Sequence, residues 1–149
     1  MSAVPATAPT ALQLADALRP VLLHVNRHLR REGQTHGISP SQVSMLAAIS
    51  STPGIGVADL AAREQMSSPS ASLHIDRLET AGFVTRLRET DGDRRRVGLT
   101  VTAQGSRLLR TVRSRRTAWL AARIEALGAA DREALAAAVA PLSALVNRP

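Results

Sequence analysis

The sequence predicts a mainly α-helical fold of the α+β class with one small antiparallel β-hairpin. Much of the 149-residue chain consists of segments in which apolar side chains recur every three or four positions, as in amphipathic helices. Residues 83–88 and 96–101 instead alternate apolar and polar side chains, which is typical of half-buried strands. Asp91, Gly92 and Asp93 between these runs favour a tight reversal. The length suits a single domain with its own core.

The composition is strongly basic. All 19 basic residues are arginine, and the formal net charge is +7. Such a balance suits a polyanionic partner, with nucleic acid as the first choice and a membrane surface as the second. Abundant arginine and alanine could also reflect a GC-rich genome. Arg94, Arg95 and Arg96 give the hairpin a cationic tip, although charge runs are common at ordinary solvated turns.

Several classes of protein are excluded or disfavoured. The chain has no cysteine, which excludes disulfides, thiolate metal sites and thiol redox sensing. No apolar run approaches the roughly 20 residues that span a bilayer. Residues 1–10 contain Pro5 and Pro9 and lack the pattern of a secretory signal, so they are interpreted as a flexible tail and the protein as cytoplasmic.

Three helices are predicted before the middle of the chain. The first covers residues 11–31 and is closed by Gly33 and Gly37, and the third covers 57–65. The second begins at Ser39 and Pro40, a cap followed by a proline in the first turn, and ends at Pro53 and Gly54. The side chains expected to face the core from these helices are Leu14, Leu18, Leu22, Val25, Leu29, Val43, Leu46, Ala47, Ile49, Leu60 and Ala61.

The fourth helix has a polar beginning and two distinct faces. Ser68 is the expected cap, Pro69 the first helical residue and Gly82 the left-handed residue after the end. Ala71, Ile75 and Leu78 should face the core. The side chains expected to point away are Pro69, Ser72, Leu73, Asp76, Arg77 and Thr80. Beyond the hairpin, Thr102 should cap a helix over 103–127, Gly128 should break it, and a final helix should cover 130–146 with a kink at Pro141.

Two short helices joined by a tight turn and followed by a basic hairpin form a winged helix-turn-helix. A helix fits the major groove of DNA, with its first residues nearest the bases. The hairpin tip can reach the minor groove, whose negative potential attracts arginine. Small serines at the start of the helix permit close approach and can bond to phosphates.

These residues resemble the MarR family of transcriptional regulators over nearly the whole chain. The resemblance lies in the element order, in residues 67–72, 76–79 and 81–84, and above all in the wing. There the family pattern is Asp-x-Arg, five residues and Leu-Thr, and this chain has Asp93 and Arg95 followed by Val101-Thr102 and then Gly105. Valine in place of leucine is a mild change at a buried strand position.

The resemblance implies a homodimer that binds a pseudo-palindromic DNA operator, with half-sites about one helical turn (roughly 34–36 Å) apart. Residues 11–37 and 103–149 would form the dimerisation helices, and 38–102 the DNA-binding lobe with its wing at 83–101. The most favoured function is a repressor released by a small amphipathic or phenolic effector. The alternative is an architectural protein that binds DNA without sequence preference, and no membrane partner is expected.

Individual roles follow from the same resemblance. Arg95 would enter the minor groove, Asp93 would fix the wing, and Arg94 and Arg96 would contact phosphates. The recognition-helix residues would be Ser68, Pro69, Ser70, Leu73 and Arg77. Arg77 could instead form a surface ion pair with Asp76 or near Glu79. Leu73 stands where many relatives have a polar or basic residue, and it could contact a thymine methyl group or indicate a different base preference. His74 stands where an apolar residue is common.

The effector pocket and the remaining functional classes complete the expectations. The predicted pocket residues are His24, Arg27, His28, Met45 and Trp119, with Trp119 alternatively packing in the core or dimer interface. His24 and His28 are spaced i, i+4 and could begin a metal site, although surface or structural histidines explain the spacing as well. No metal or other cofactor is therefore assigned. An enzyme is disfavoured because no nucleophile elbow, phosphate loop, nucleotide fingerprint or metalloprotease motif occurs.

Overall fold

The computed structural model describes residues 8–34, 37–88 and 97–147. Within these ranges it confirms the predicted fold class, a mainly helical chain with one two-stranded antiparallel hairpin. The elements are α1 (Ala11–Glu32), α2 (Pro40–Ser51), α3 (Val57–Arg63), α4 (Ser68–Thr80), β1 (Val84–Arg88), β2 (Val97–Val101), α5 (Ala103–Glu125) and α6 (Ala129–Val146). No helix in the described part of the chain is both long and apolar enough to cross a membrane.

Side-chain caps set where the helices begin. Ser39 caps α2 through a reciprocal capping box with Gln42, and the Thr102 hydroxyl accepts a hydrogen bond from the Gly105 N–H at the start of α5, as predicted. The expected cap of α4 was wrong by one residue. Ser67 is the cap, so Ser68 is the first helical residue and Pro69 the second.

The helix ends also agree with the sequence in most places. Gly82 has a φ of +79° directly after α4, the left-handed conformation that glycine adopts without strain. The α3 helix ends at Arg63 rather than at the predicted Gln65, whose φ of 55° is incompatible with a continuing helix. Pro141 lies inside α6, which continues to Val146.

The hairpin is held in register from Val84↔Val101 to Arg88↔Val97. Ile55 forms an isolated bridge with Leu99 and thereby connects the segment after α2 to the hairpin. The tip of the wing, with the predicted residues Asp93, Arg94, Arg95 and Arg96, lies outside the described residues.

The hydrophobic core lies in the lobe formed by α2, α3, α4, the hairpin and the first half of α5. Ala71, Ile75 and Leu78 of α4 are buried there, as predicted. In α2 the prediction was partly wrong, because Ala47 is exposed while Met45 is fully buried. The core consists of Ile38, Val43, Met45, Leu46, Ala48, Ile49, Ile55, Leu60, Ala61, Ala71, Ile75, Leu78, Phe83, Val84, Leu99, Leu108 and Val112.

The first and last helices have no fully buried residue within the described chain. Neither α1 nor α6 contains a buried residue, and the buried residues of α5 end at Val112. Of the apolar stripe predicted for α1, Leu14 and Leu22 are exposed, whereas Leu18, Val25 and Leu29 are half-buried. The exposed large apolar side chains of α1, α5, α6 and the turn at Leu127 are Leu12, Leu14, Val21, Leu22, Leu23, Leu120, Leu127, Leu135, Val139, Leu145 and Val146.

Candidate nucleic-acid interface

The start of α4 presents small polar groups to solvent. Ser68, Pro69 and Ser70 are all exposed. The Ser67 Oγ accepts from the Ser70 N–H at 3.3 Å and donates to the Ser70 Oγ at 2.9 Å. Because the Ser70 oxygen accepts this bond, its own O–H remains available to donate to an acceptor on a bound partner. The N-terminal end of a helix also favours negative charge, so the geometry suits a phosphate or base-edge acceptor.

Leu73 and Arg77 extend this surface along the same helix. Leu73 is 50% exposed and Arg77 is exposed, so both side chains can reach a partner lying against α4. No salt bridge among the described residues includes Arg77, so its guanidinium is not paired with Asp76 or Glu79 in this structure. The neighbouring Asp76 and Glu79 bind a different arginine.

That arginine is Arg86 of β1, which the sequence analysis did not single out. Its Nη2 donates to Asp76 Oδ1 at 2.6 Å, and its Nη1 donates to Glu79 Oε2 at 2.5 Å. The pKa of Arg86 is raised, and the largest cause is the hydrogen bond to Asp76. The strand alternation of β1 could have indicated that Arg86 faces the protein, because Arg86 lies on the same face of the strand as the buried Val84.

Three of the five predicted effector residues come together at the junction of α1 and α5. The Nε2 atoms of His24 and His28 are 3.1 Å apart, and the His28 ring stacks on Trp119 with centroids separated by 5.3 Å. The Arg123 guanidinium carbon lies 3.8 Å from the centroid of the Trp119 ring. Partial burial, followed by the charges of His24 and nearby arginines, lowers the pKa of the His28 imidazole. The half-buried Trp119 therefore contacts both His28 of α1 and Arg123 of α5.

The other two predicted effector residues, Met45 and Arg27, are not part of this stack of rings. Met45 lies fully buried in the core of the DNA-binding lobe, so its assignment to an accessible pocket was wrong. Arg27 is exposed on α1, and its charge is the smallest of those that lower the pKa of His28. Among the residues that the structure describes, no group of three or more histidine, aspartate or glutamate side chains could hold a metal ion.

A cavity of about 570 Å³ lies between α2 and α5, beside the C-terminal end of α1. None of the five predicted effector residues lines it. Arg30, Arg113 and Arg116 contribute three cationic groups, and no carboxylate of the described chain forms a salt bridge with them. Its lining residues are Arg30, Pro40, Val43, Ser44, Ala47, Ser50, Ser51, Leu109, Val112, Arg113, Arg116 and Thr117.

Arg116 is fixed in the wall of this cavity. Its Nε donates to the Leu29 carbonyl oxygen at 3.0 Å, and its guanidinium lies against Gly33, where a Cβ would be 2.6 Å from Nη2. Burial, together with the charge of Arg30, lowers the pKa of Arg116. An anion in the cavity would relieve the repulsion between these guanidinium groups, so the site is suited to a negatively charged ligand.

Comparison with known proteins supports the geometry of the DNA-binding lobe. Residues 38–97 match the model of the MarR family. An uncharacterised HTH-type transcriptional regulator of Mycobacterium bovis is 32% identical over 136 residues, which cover 91% of this chain and 94% of the relative. A similar regulator of Mycobacterium leprae is 30% identical over 123 residues, covering 83% of this chain and 85% of the relative.

Solved structures show the same architecture. A candidate transcriptional regulator from Pseudomonas aeruginosa has a TM-score of 0.81 and 31% identity, with coverage of 95% of this chain and 100% of that protein. The multiple antibiotic-resistance repressor (MarR) from Listeria monocytogenes has a TM-score of 0.71 at 22% identity, with 95% and 100% coverage, and it shows the shared fold. The winged helix-turn-helix, the family match and these relatives together establish that the chain belongs to the MarR family of DNA-binding transcriptional regulators.

Proposed function

We propose that this regulator is a repressor that binds a pseudo-palindromic operator as a homodimer and is released by a small acidic ligand. The observation that carries the dimer is the outward-facing apolar surface of α1 and α6, neither of which has a buried residue. Exposed apolar area of this extent is typical of a protein interface. A second copy of the chain fits it best, because a two-fold pair presents two α4 helices to two half-sites.

Each protomer supplies two DNA-binding elements in this proposal. The exposed start of α4 lies in the major groove, where Ser70 and Arg77 contact phosphates or base edges and Leu73 contacts a thymine methyl group. The wing reaches the adjacent minor groove through Arg95, with Arg94 and Arg96 on phosphates and Asp93 fixing the wing. A net charge of +7 adds attraction that salt weakens.

Arg95→Ala is expected to weaken operator binding by about tenfold, since a lost minor-groove arginine costs about 1–3 kcal/mol. The dimer and its thermal unfolding should be unchanged. Fluorescence anisotropy with the operator, isolated from host genomic fragments that the protein retains, measures the change. Arg110→Ala on α5 is the matched control, because it removes the same charge from an exposed residue that forms no salt bridge within the described chain.

Equal weakening by both substitutions would assign the effect to net charge rather than to the minor groove. The same assay separates repression from architectural binding. Excess bulk DNA should barely displace a sequence-specific regulator, whereas an architectural protein would be displaced in proportion to the competitor.

The ligand is proposed to bind the cavity between α2 and α5, because its three arginines have no carboxylate partner in the described chain. Serine and threonine hydroxyls and the apolar side chains of Val43 and Leu109 complete a slot for a small amphipathic acid. An acid held there contacts both α2 of the DNA-binding lobe and α5, so it can alter the spacing of the two α4 helices in the dimer.

Arg113→Gln is expected to weaken binding of a hydroxybenzoate probe about tenfold, the loss of one charge-assisted hydrogen bond. Operator affinity without the probe should not change. Isothermal titration calorimetry measures the probe, and Arg110→Gln is the matched control, since this neighbouring arginine of α5 does not line the cavity. An equal loss of probe affinity in both variants, or an unchanged probe affinity in Arg113→Gln, would show that the ligand binds elsewhere.

A further inference from the structure

The recognition helix carries two carboxylates on the side that meets the wing. Asp76 is exposed and Glu79 is half-buried, and both lie on α4 beside the outward-facing Arg77. In the proposed complex these carboxylates lie near DNA phosphates, and negative charge there opposes binding. Arg86 contacts both carboxylates, so the pair of negative charges is partly compensated from within the protein.

Arg86 lies in the paired part of the hairpin, near its base. In the strand register Arg86 is opposite Leu99 of β2. Leu99 is fully buried and forms a β-bridge with Ile55. Two residues further along β1, at Arg88, the chain enters the wing segment of residues 89–96. The two ion pairs of Arg86 therefore join the DNA-facing helix to the base of the wing.

We propose that Arg86 is a positioning residue that fixes the angle between α4 and the wing through its simultaneous bonds to Asp76 and Glu79. With this angle fixed, the helix and the wing are already oriented to reach neighbouring grooves of one DNA site, and binding does not have to order them. Arg86 itself contacts no DNA in this role. The inference rests on the proposed contact of the wing with the operator.

Asp76→Asn distinguishes this positioning role from a purely electrostatic one, because the two predict opposite changes in operator affinity. Removing an exposed carboxylate near DNA should strengthen binding if charge alone matters. Releasing Arg86 from one of its two anchors should weaken binding if orientation matters. We expect the second result, with a loss of about fivefold in operator affinity and a smaller loss for a duplex of random sequence.

The experiment uses the full-length protein and compares Asp76→Asn, Arg86→Gln and the double variant. Because both single changes break the same link, the double variant should bind no more weakly than Arg86→Gln alone. Asp59→Asn is the control, since Asp59 is an exposed carboxylate of the same lobe that forms no salt bridge within the described chain. Its operator affinity should stay equal or rise.

A second readout needs no DNA. The chain has no native cysteine, so a dye on Leu87→Cys, at a position of β1 where the native side chain is 52% exposed, labels the wing at one place in each protomer. Its steady-state anisotropy should fall when Asp76→Asn or Glu79→Gln is added, while thermal unfolding stays within a few degrees. Unchanged anisotropy, or tighter operator binding by Asp76→Asn, would overturn the positioning role. A wild-type protein that shows no sequence preference would overturn the proposed function, and the anisotropy result would still test the link itself.

Discussion

Val139→Glu should convert the regulator to a monomer and weaken operator binding at least a hundredfold. Val139 is 62% exposed on α6, and in the proposed dimer this side chain is covered by the partner. Burying an unpaired carboxylate there costs several kcal/mol. A monomer also loses the second half-site, so the two effects act together. Analytical ultracentrifugation measures the association state, and anisotropy with the operator measures binding.

Ala137→Glu provides the control for this change. At 100° per residue, Ala137 lies on the side of α6 opposite Val139, and it is exposed. The same charge should leave the dimer intact at this position. A dimer that survives Val139→Glu, or that is lost equally in both variants, would contradict an interface along the apolar stripe of α6.

Gly105→Ala should lower the free energy of unfolding by about 3 kcal/mol, at the upper end of the cost of overpacking. A Cβ at Gly105 would lie 2.3 Å from the Phe83 carbonyl oxygen and 2.7 Å from Val101 Cγ1. The Phe83 oxygen cannot move away freely, because it accepts the Thr102 N–H at 3.0 Å. Chemical denaturation at a fixed protein concentration measures the loss.

Gly128→Ala is the matched substitution, since nothing lies within 4 Å of a Cβ at the start of α6 and the φ of −65° is ordinary. It should change stability by less than about 1 kcal/mol. A small effect at Gly105 would mean that α5 can move away from the hairpin without cost. The close approach at Gly105 also explains why this glycine forms part of the sequence pattern around the wing.

The sequence predicted best those features that are set within one helix. The core face of α4 at Ala71, Ile75 and Leu78 follows from periodicity alone, and the Thr102 cap follows from a local hydrogen bond. The cap of α4 was misplaced because Ser67 and Ser68 have the same chemistry, and proline is compatible with either of the first two helical positions.

Tertiary contacts limited the prediction of the candidate site. Arg86 meets Asp76 and Glu79 only after the chain has turned from α4 into β1, and local periodicity does not report such pairs. Met45 was misassigned because α2 is enclosed on much of its circumference, so no single stripe marks its core face. Arg113 and Arg116 line a cavity whose existence depends on the spacing between α2 and α5.

The stack of His28 on Trp119 has a practical consequence. Trp119 is the single tryptophan, and the chain has no tyrosine, so essentially all of the protein's ultraviolet emission originates where α1 meets α5. An imidazole in ring contact quenches an indole more strongly once it is protonated. The intrinsic fluorescence therefore reports on the contact between His28 and Trp119 without any added label.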